Sequence, residues 1–168
     1  KAAGFDRDKF LTEAAKIEGV YVPSLYEISY KDDGTIASVT PVNGAPAKVR
    51  KRIIEDLDRV YYPDRFVVPF IDIVHDRGMS EIFRGCVRGC RFCQAGFIYR
   101  PVREKSPEVI DAQSRALCEN TGYEEFSLSS LSTSDYSQLE TLLPRLLDWA
   151  EKQKTNISLP SLRVDGFS

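Results

Sequence analysis

The stretch that decides the reading is Arg84-Gly85-Cys86-Val87-Arg88-Gly89-Cys90-Arg91-Phe92-Cys93-Gln94-Ala95-Gly96. Three of the chain's four cysteines fall here within eight residues, spaced C-x3-C-x2-C, with glycines and arginines threaded between them. Glycine at that density disfavours a helix, so the stretch reads as a loop folded around something. Three thiolates converging from one loop suit a soft or borderline metal centre. A [4Fe–4S] cubane takes four ligands, so three cysteines leave one iron open. Zinc held by the three cysteines and His75, the only histidine, is the competing metal reading. The bland reading of His75 is a polar residue hydrogen-bonded at a strand or loop end.

With Phe92 directly before the last cysteine, the loop resembles the cluster loop of the radical S-adenosylmethionine (SAM) enzymes. The longer run EIFRGCVRGCRFCQAGFIYRPVR (Glu81–Arg103) resembles the subgroup whose longer chains carry a cobalamin-binding-like domain ahead of the radical SAM domain. SLSSLSTSDYS (Ser127–Ser137) and SLPSLRVD (Ser158–Asp165) resemble the same subgroup. The resemblance is strongest from about Pro69 onward.

Length and composition are compatible with this. A chain of 168 residues with 42% hydrophobic and 29% charged residues is an ordinary globular sequence able to bury one core. No apolar run is long enough to span a bilayer. A net charge of −2 provides no whole-chain attraction to nucleic acid. Two disulfides are the alternative use of four cysteines, but short bridges within one Gly-rich loop would be strained. Metal-bound thiolates in a reducing cytoplasm are therefore expected, and no secretory signal pattern opens the chain. The absent initiator Met and the ending just after a strand-like run lead us to expect a fragment of a longer protein.

Taken in order, residues 1–20 carry Phe10, Leu11, Ala14, Ala15 and Ile17 at helical spacing, with Asp6 as N-cap and Gly19 as stop. Two strand-like runs, 20–30 and 36–42, flank Asp33-Gly34 and predict a hairpin. Its tyrosines suit a half-buried sheet, with a base-stacking platform as the functional alternative. Residues 47–60 predict a short helix whose basic run, Lys48 to Arg52, reads as a solvated face. Residues 66–74 run extended, and Pro69 argues against a central strand.

Ser80–Arg84 predicts the first strand of a barrel and delivers the cysteine loop at its C-terminal end. Ser106-Pro107-Glu108 opens a helix reaching Asn120 and stopping at Gly122. Cys118 on that helix reads as a small core residue, with a fourth cluster ligand as the alternative. Tyr123–Leu131 is the second strand, 132–135 a polar turn, Tyr136–Gln153 an amphipathic helix interrupted by Pro144, and Asn156–Asp165 the third strand.

The predicted fold is therefore α/β: a truncated, partial (β/α) barrel of radical SAM type over 79–168, preceded by a small α+β segment with a hairpin over 1–78. In such barrels the active groups sit at the C-terminal ends of the strands.

The resemblance implies that Cys86, Cys90 and Cys93 hold a [4Fe–4S] cluster, and that SAM binds its open iron and is cleaved reductively to a 5′-deoxyadenosyl radical. It implies that Phe92 shields the cluster and lies near the adenine, and that Ser129, Ser130 and Ser132 contact the SAM amino group. The sequence lacks the glycine pair common at that strand end. Arg163 would pair with the SAM carboxylate, or instead with a carboxylate of the chain. Arg84, Arg88, Arg91, Arg100 and Arg103 suit an anionic substrate or offset the charge of the cluster. No residue is assigned as catalytic. An electron donor such as flavodoxin or ferredoxin is the implied partner, the substrate is undefined, and cobalamin is the further cofactor of a longer chain. The alternatives are a zinc-stabilised interaction module and a methylthiotransferase-like modifier of RNA or protein.

Overall fold

The computed structural model describes residues 4–166, and the chain divides into two compact units, Lys1–Ile54 and Glu55–Ser168. Residues 55–78, assigned to the N-terminal segment on sequence grounds, thus group with the unit that carries the cysteine loop.

In the first unit, helix α1 spans Arg7–Ala14, and the Asp6 side chain caps it by accepting from the Asp8 and Lys9 N–H groups. The helix stops short of Gly19, because the amides of Lys16 and Ile17 bond to carbonyls three residues back and tighten the chain. Phe10 and Ile17 stay exposed; the small core is Ala15, Val22 and Leu25 with Leu11 packed against it. Strands β1 (Tyr26–Tyr30) and β2 (Ile36–Pro41) form the expected antiparallel hairpin. Its turn is fixed by Gly34 at φ 80° and by the Asp33 carboxylate, which accepts from Thr35 N (2.9 Å) and Oγ1 (2.6 Å).

The predicted helix over 47–60 does not form. Lys48, Lys51 and Arg52 would stand three and four residues apart on one helix face, where like charges repel. Val49, Ile53 and Ile54 are β-branched and weak helix formers. Of the intended stripe only Leu57 is buried, so there is too little packing to offset these costs.

In the second unit, β3 (Gly78–Glu81), β6 (Glu125–Ser129) and β7 (Asn156–Ser158) form a parallel sheet in that order. Helix α3 (Pro107–Thr121) links the first two and α4 (Leu139–Gln153) the last two. Ser106 caps α3 by accepting from Val109 N, Pro107 occupies its first turn, and Gly122 ends it in the left-handed conformation at φ 74°. Pro144 lies within α4, which continues through it to Gln153.

Alternation along the strands decides the two faces of the sheet. Phe126 and Leu128 point to the helices and pack in a core with Ile82, Ile110, Leu117, Leu142, Leu146 and Trp149. The Phe126 and Trp149 rings stack at 5.4 Å, and Trp149 Nε1 donates to Asp111 Oδ1 at 2.8 Å. Cys118 is buried in this core. The opposite register row is polar apart from Met79: Glu81 pairs with Ser129, and Met79 with Ser127, which pairs in turn with Ser158.

Two strands differ from expectation. The first breaks after Glu81, because Ile82 donates to Ser129 O while its own carbonyl accepts from Lys105 N. Beyond it, β4 (Phe83–Arg84) pairs antiparallel with β5 (Arg103–Glu104), with the short helix α2 (Ala95–Ile98) between them. The third strand ends at Ser158 instead of Asp165, since Pro160 has no amide to donate and Ser161 sits at φ 58°. Three parallel strands with two helices on one face match the start of a β/α fold; barrel closure is not seen.

Candidate metal and cofactor site

The cysteine loop leaves β4 at Gly85 and enters α2 at Ala95. Two close backbone approaches shut it. Gly85 adopts φ 108°, and a Cβ there would lie 2.6 Å from Tyr99 O and 2.7 Å from Pro101 O. A Cβ on Gly96 would lie 2.0 Å from Arg88 O. Glycine is therefore required at both positions, at Gly85 by conformation and space, at Gly96 by space alone.

Cys86, Cys90 and Cys93 are free thiols at intermediate exposure on this loop, and two of the three sulfurs already accept hydrogen bonds. Ala95 N–H donates to Cys93 Sγ at 3.4 Å, and Arg163 Nη1 donates to Cys90 Sγ at 3.6 Å. Donors of this kind stabilise thiolate and metal-bound sulfur. The donor set therefore fits an iron–sulfur cluster. Among the described residues no three His, Cys, Asp or Glu side chains stand grouped as for a metal ion, so the sulfurs must turn inward to share one. His75 is exposed and, like the three cysteines, stands in no such group.

Two contacts tie the loop to the segments that follow the parallel strands, and a third joins those segments to each other. Arg88 grips Asp135 with two bonds, Nε to Oδ2 at 2.8 Å and Nη2 to Oδ1 at 2.5 Å. Arg163 reaches Cys90 while binding Asp165 through Nε and Nη2, at 2.9 and 2.8 Å. Thr133 N donates to Ser161 O at 3.3 Å. The turn after β6, the segment after β7 and the cysteine loop thus meet at one end of the sheet. The Arg88 guanidinium, through its hydrogen bonds first, holds the Asp135 carboxyl below the usual carboxylate range.

Of the residues named from sequence, Ser129, Ser130, Ser132 and Arg163 come to this end. Ser129 uses its carbonyl on Ile82 N, Ser130 Oγ shares a 3.0 Å hydrogen bond with Thr133 Oγ1, and Ser132 is buried. Arg163 is engaged by Asp165, so the carboxylate it meets here belongs to the chain. Phe92 is 92% exposed, so the shielding expected of its ring is not made here. Four of the five loop-region arginines are held by protein acceptors: Arg84 by Glu81, Arg88 by Asp135, Arg100 by Val87 O and Arg103 by Pro101 O. Arg91 is exposed, and its guanidinium meets no acceptor among the described residues, which narrows the anionic-substrate reading of this cluster. Burial raises the Cys118 thiol to about 11, and its place in the helix-facing core separates it from the other three cysteines.

Sequence reasoning missed Asp135 and Asp165. Asp135 lies 47 residues from Arg88, and no local pattern announces that pairing.

The second unit is thus a parallel-stranded β/α domain with a three-cysteine loop across its C-terminal strand ends. The family model of the Radical SAM superfamily matches residues 80–166, and the chain belongs to that superfamily. Its members are enzymes that generally use a [4Fe–4S] cluster and SAM. No curated protein matches the chain. No helix among the described residues is long and apolar enough to cross a membrane.

Proposed function

We propose that this chain is the cluster-binding part of a radical SAM enzyme, with Cys86, Cys90 and Cys93 as the ligands of a [4Fe–4S] cluster. The observation that carries this is the closed cysteine loop, with hydrogen-bond donors on two of its sulfurs, lying at the C-terminal strand ends within the matched span. A cluster held by these three cysteines would supply the electron for reductive cleavage of SAM to methionine and a 5′-deoxyadenosyl radical. The chain's own residues bind and orient. Gly85 and Gly96 let the loop close, Arg88 anchors it to Asp135, and Arg163 places a cation at the Cys90 sulfur. Ser130 and Ser132, on the turn after β6, are the candidate contacts to SAM. A flavodoxin- or ferredoxin-type donor is the proposed source of the electron. Membership of the subgroup with a cobalamin-binding-like domain rests on the Glu81–Arg103 run.

Anaerobic reconstitution with iron and sulfide, followed by EPR of the dithionite-reduced protein with and without SAM, tests the proposal. A cluster signal perturbed by SAM is expected, lost in Cys86→Ala, Cys90→Ala and Cys93→Ala and retained in Cys118→Ala. Absence of a cluster, with one tightly bound zinc in its place, overturns it.

A further inference from the structure

Beside the cysteine loop lies a cavity of about 310 Å³ at the C-terminal ends of β3 and β6. Leu57, Val60 and Met79 supply apolar wall; Glu81, Arg84, Lys105 and Ser129 supply the polar groups, and Tyr61 and Tyr62 also line it. Lys105 is the unusual member. It is 4% exposed, yet none of the ion pairs among the described residues includes it. Its ammonium carries three N–H donors and spends one on Gln113 Oε1 at 2.9 Å, lying 5.2 Å from the centre of the Tyr62 ring. Burying an ammonium without a direct ion pair is costly, and burial, opposed in part by the charges of Glu81 and Asp58, lowers its pKa.

The nearby acids are already engaged. Glu81 takes Arg84 Nε and Nη2 at 2.8 and 2.7 Å, and Asp58 Oδ1 accepts from Ser106 N at 2.8 Å. The lysine is held in place by its backbone as well, donating to Ile82 O and accepting from the buried Tyr136 hydroxyl at 2.7 Å. A fixed, buried cation with spare donors facing a partly apolar cavity is a carboxylate receptor in form.

We propose that this cavity binds the carboxylate of a small organic acid, with Lys105 as its counter-ion and the Leu57, Val60 and Met79 wall around its apolar stem. The charge balance selects a carboxylate over a phosphate. Among the groups that line the cavity, Arg84 and Glu81 pair with each other and leave Lys105 as the one net cation, while the Asp58 carboxylate close to that lysine opposes a second negative charge. That the bound acid is the enzyme's substrate rests on the radical SAM reading; that the cavity binds a carboxylate does not.

The chain has one methionine, and it lines this cavity, so methyl-¹³C labelling of the metal-free protein gives a single reporter, Met79. Titration with isovalerate is expected to move the Met79 methyl resonance saturably, while isovaleramide and inorganic phosphate at equal concentration leave it unsaturated. Lys105→Gln is expected to weaken isovalerate at least about tenfold, the loss of a charge-assisted hydrogen bond. Val60→Phe, which fills the cavity and leaves Lys105 intact, is expected to abolish the shift while the Trp149 indole resonance stays in place. The proposal is overturned by absence of a saturable shift with isovalerate, by equal binding of the amide, by tighter binding of phosphate, or by wild-type affinity in folded Lys105→Gln. Because the readout needs no cluster, its failure is separable from failure of iron–sulfur reconstitution.

Discussion

Gly96→Ala is the most discriminating single change in the cysteine loop. Gly96 has no left-handed backbone, so the substitution carries no conformational penalty of its own. In isolation, Gly to Ala in a helix favours the folded state by about 1 kcal/mol. Opposing this, the new Cβ would lie 2.0 Å from Arg88 O, where real Cβ contacts essentially never fall under 3.0 Å. One group must move by roughly 1 Å, and because the obstacle is backbone it cannot rotate away. Overpacking of this kind costs about 1–3 kcal/mol, so the net effect is a loss of up to about 2 kcal/mol, or up to several degrees in Tm. The larger consequence is local. Arg88 lies between Cys86 and Cys90, and Gly96 follows Cys93, so parting them moves the first two sulfurs away from the third. Iron bound per chain after reconstitution is expected to fall several-fold. Gly89→Ala is the control: it sits on the same loop with nothing within 4 Å of its added Cβ, and it should load like the parent. Full iron loading with unchanged Tm in Gly96→Ala would refute the close-approach argument, as would an equal loss in Gly89→Ala.

Three further outcomes are expected. Trp149→Phe keeps a ring against Phe126 but strands the Asp111 carboxylate without its indole donor; urea denaturation should show a loss of about 1–3 kcal/mol. In native metal-free protein, iodoacetamide should modify Cys86, Cys90 and Cys93, while Cys118, with its thiol raised to about 11 by burial, reacts only after denaturation, as mass spectrometry will show. Asp135 is held below its ordinary 3.8 by Arg88, so in acid the folded chain binds fewer protons than the unfolded one. The stability from this pair is complete above the unfolded value and disappears as pH falls through the lower folded one. Asp135→Asn should flatten that part of the acid limb of a stability-against-pH curve, leaving the contribution of Glu81, likewise depressed by Arg84, in place.

Local chemistry made much of this protein legible before any coordinates. The Asp6 and Ser106 caps, the Gly34 turn and the Gly122 stop are set by residues within four positions of one another, and each occurs as read. The β-α-β-α-β order followed from periodicity, and the three-cysteine spacing marked the loop and, by resemblance, the superfamily that residues 80–166 match. Where the reading failed, a long-range term had decided. The 47–60 helix was lost because its apolar face found no partner beyond Leu57, a fact that periodicity does not contain. The first strand breaks at Ile82 because two different strands compete for one backbone residue.

The site divides in the same way. Sequence alone determined which residues carry sulfur and cationic groups, since those depend on side-chain type and spacing. Only the tertiary structure decided that Arg88 is spent on Asp135, that Arg163 faces Cys90, and that Lys105 is buried without a direct ion pair, because pairing and desolvation arise between residues that the chain keeps far apart.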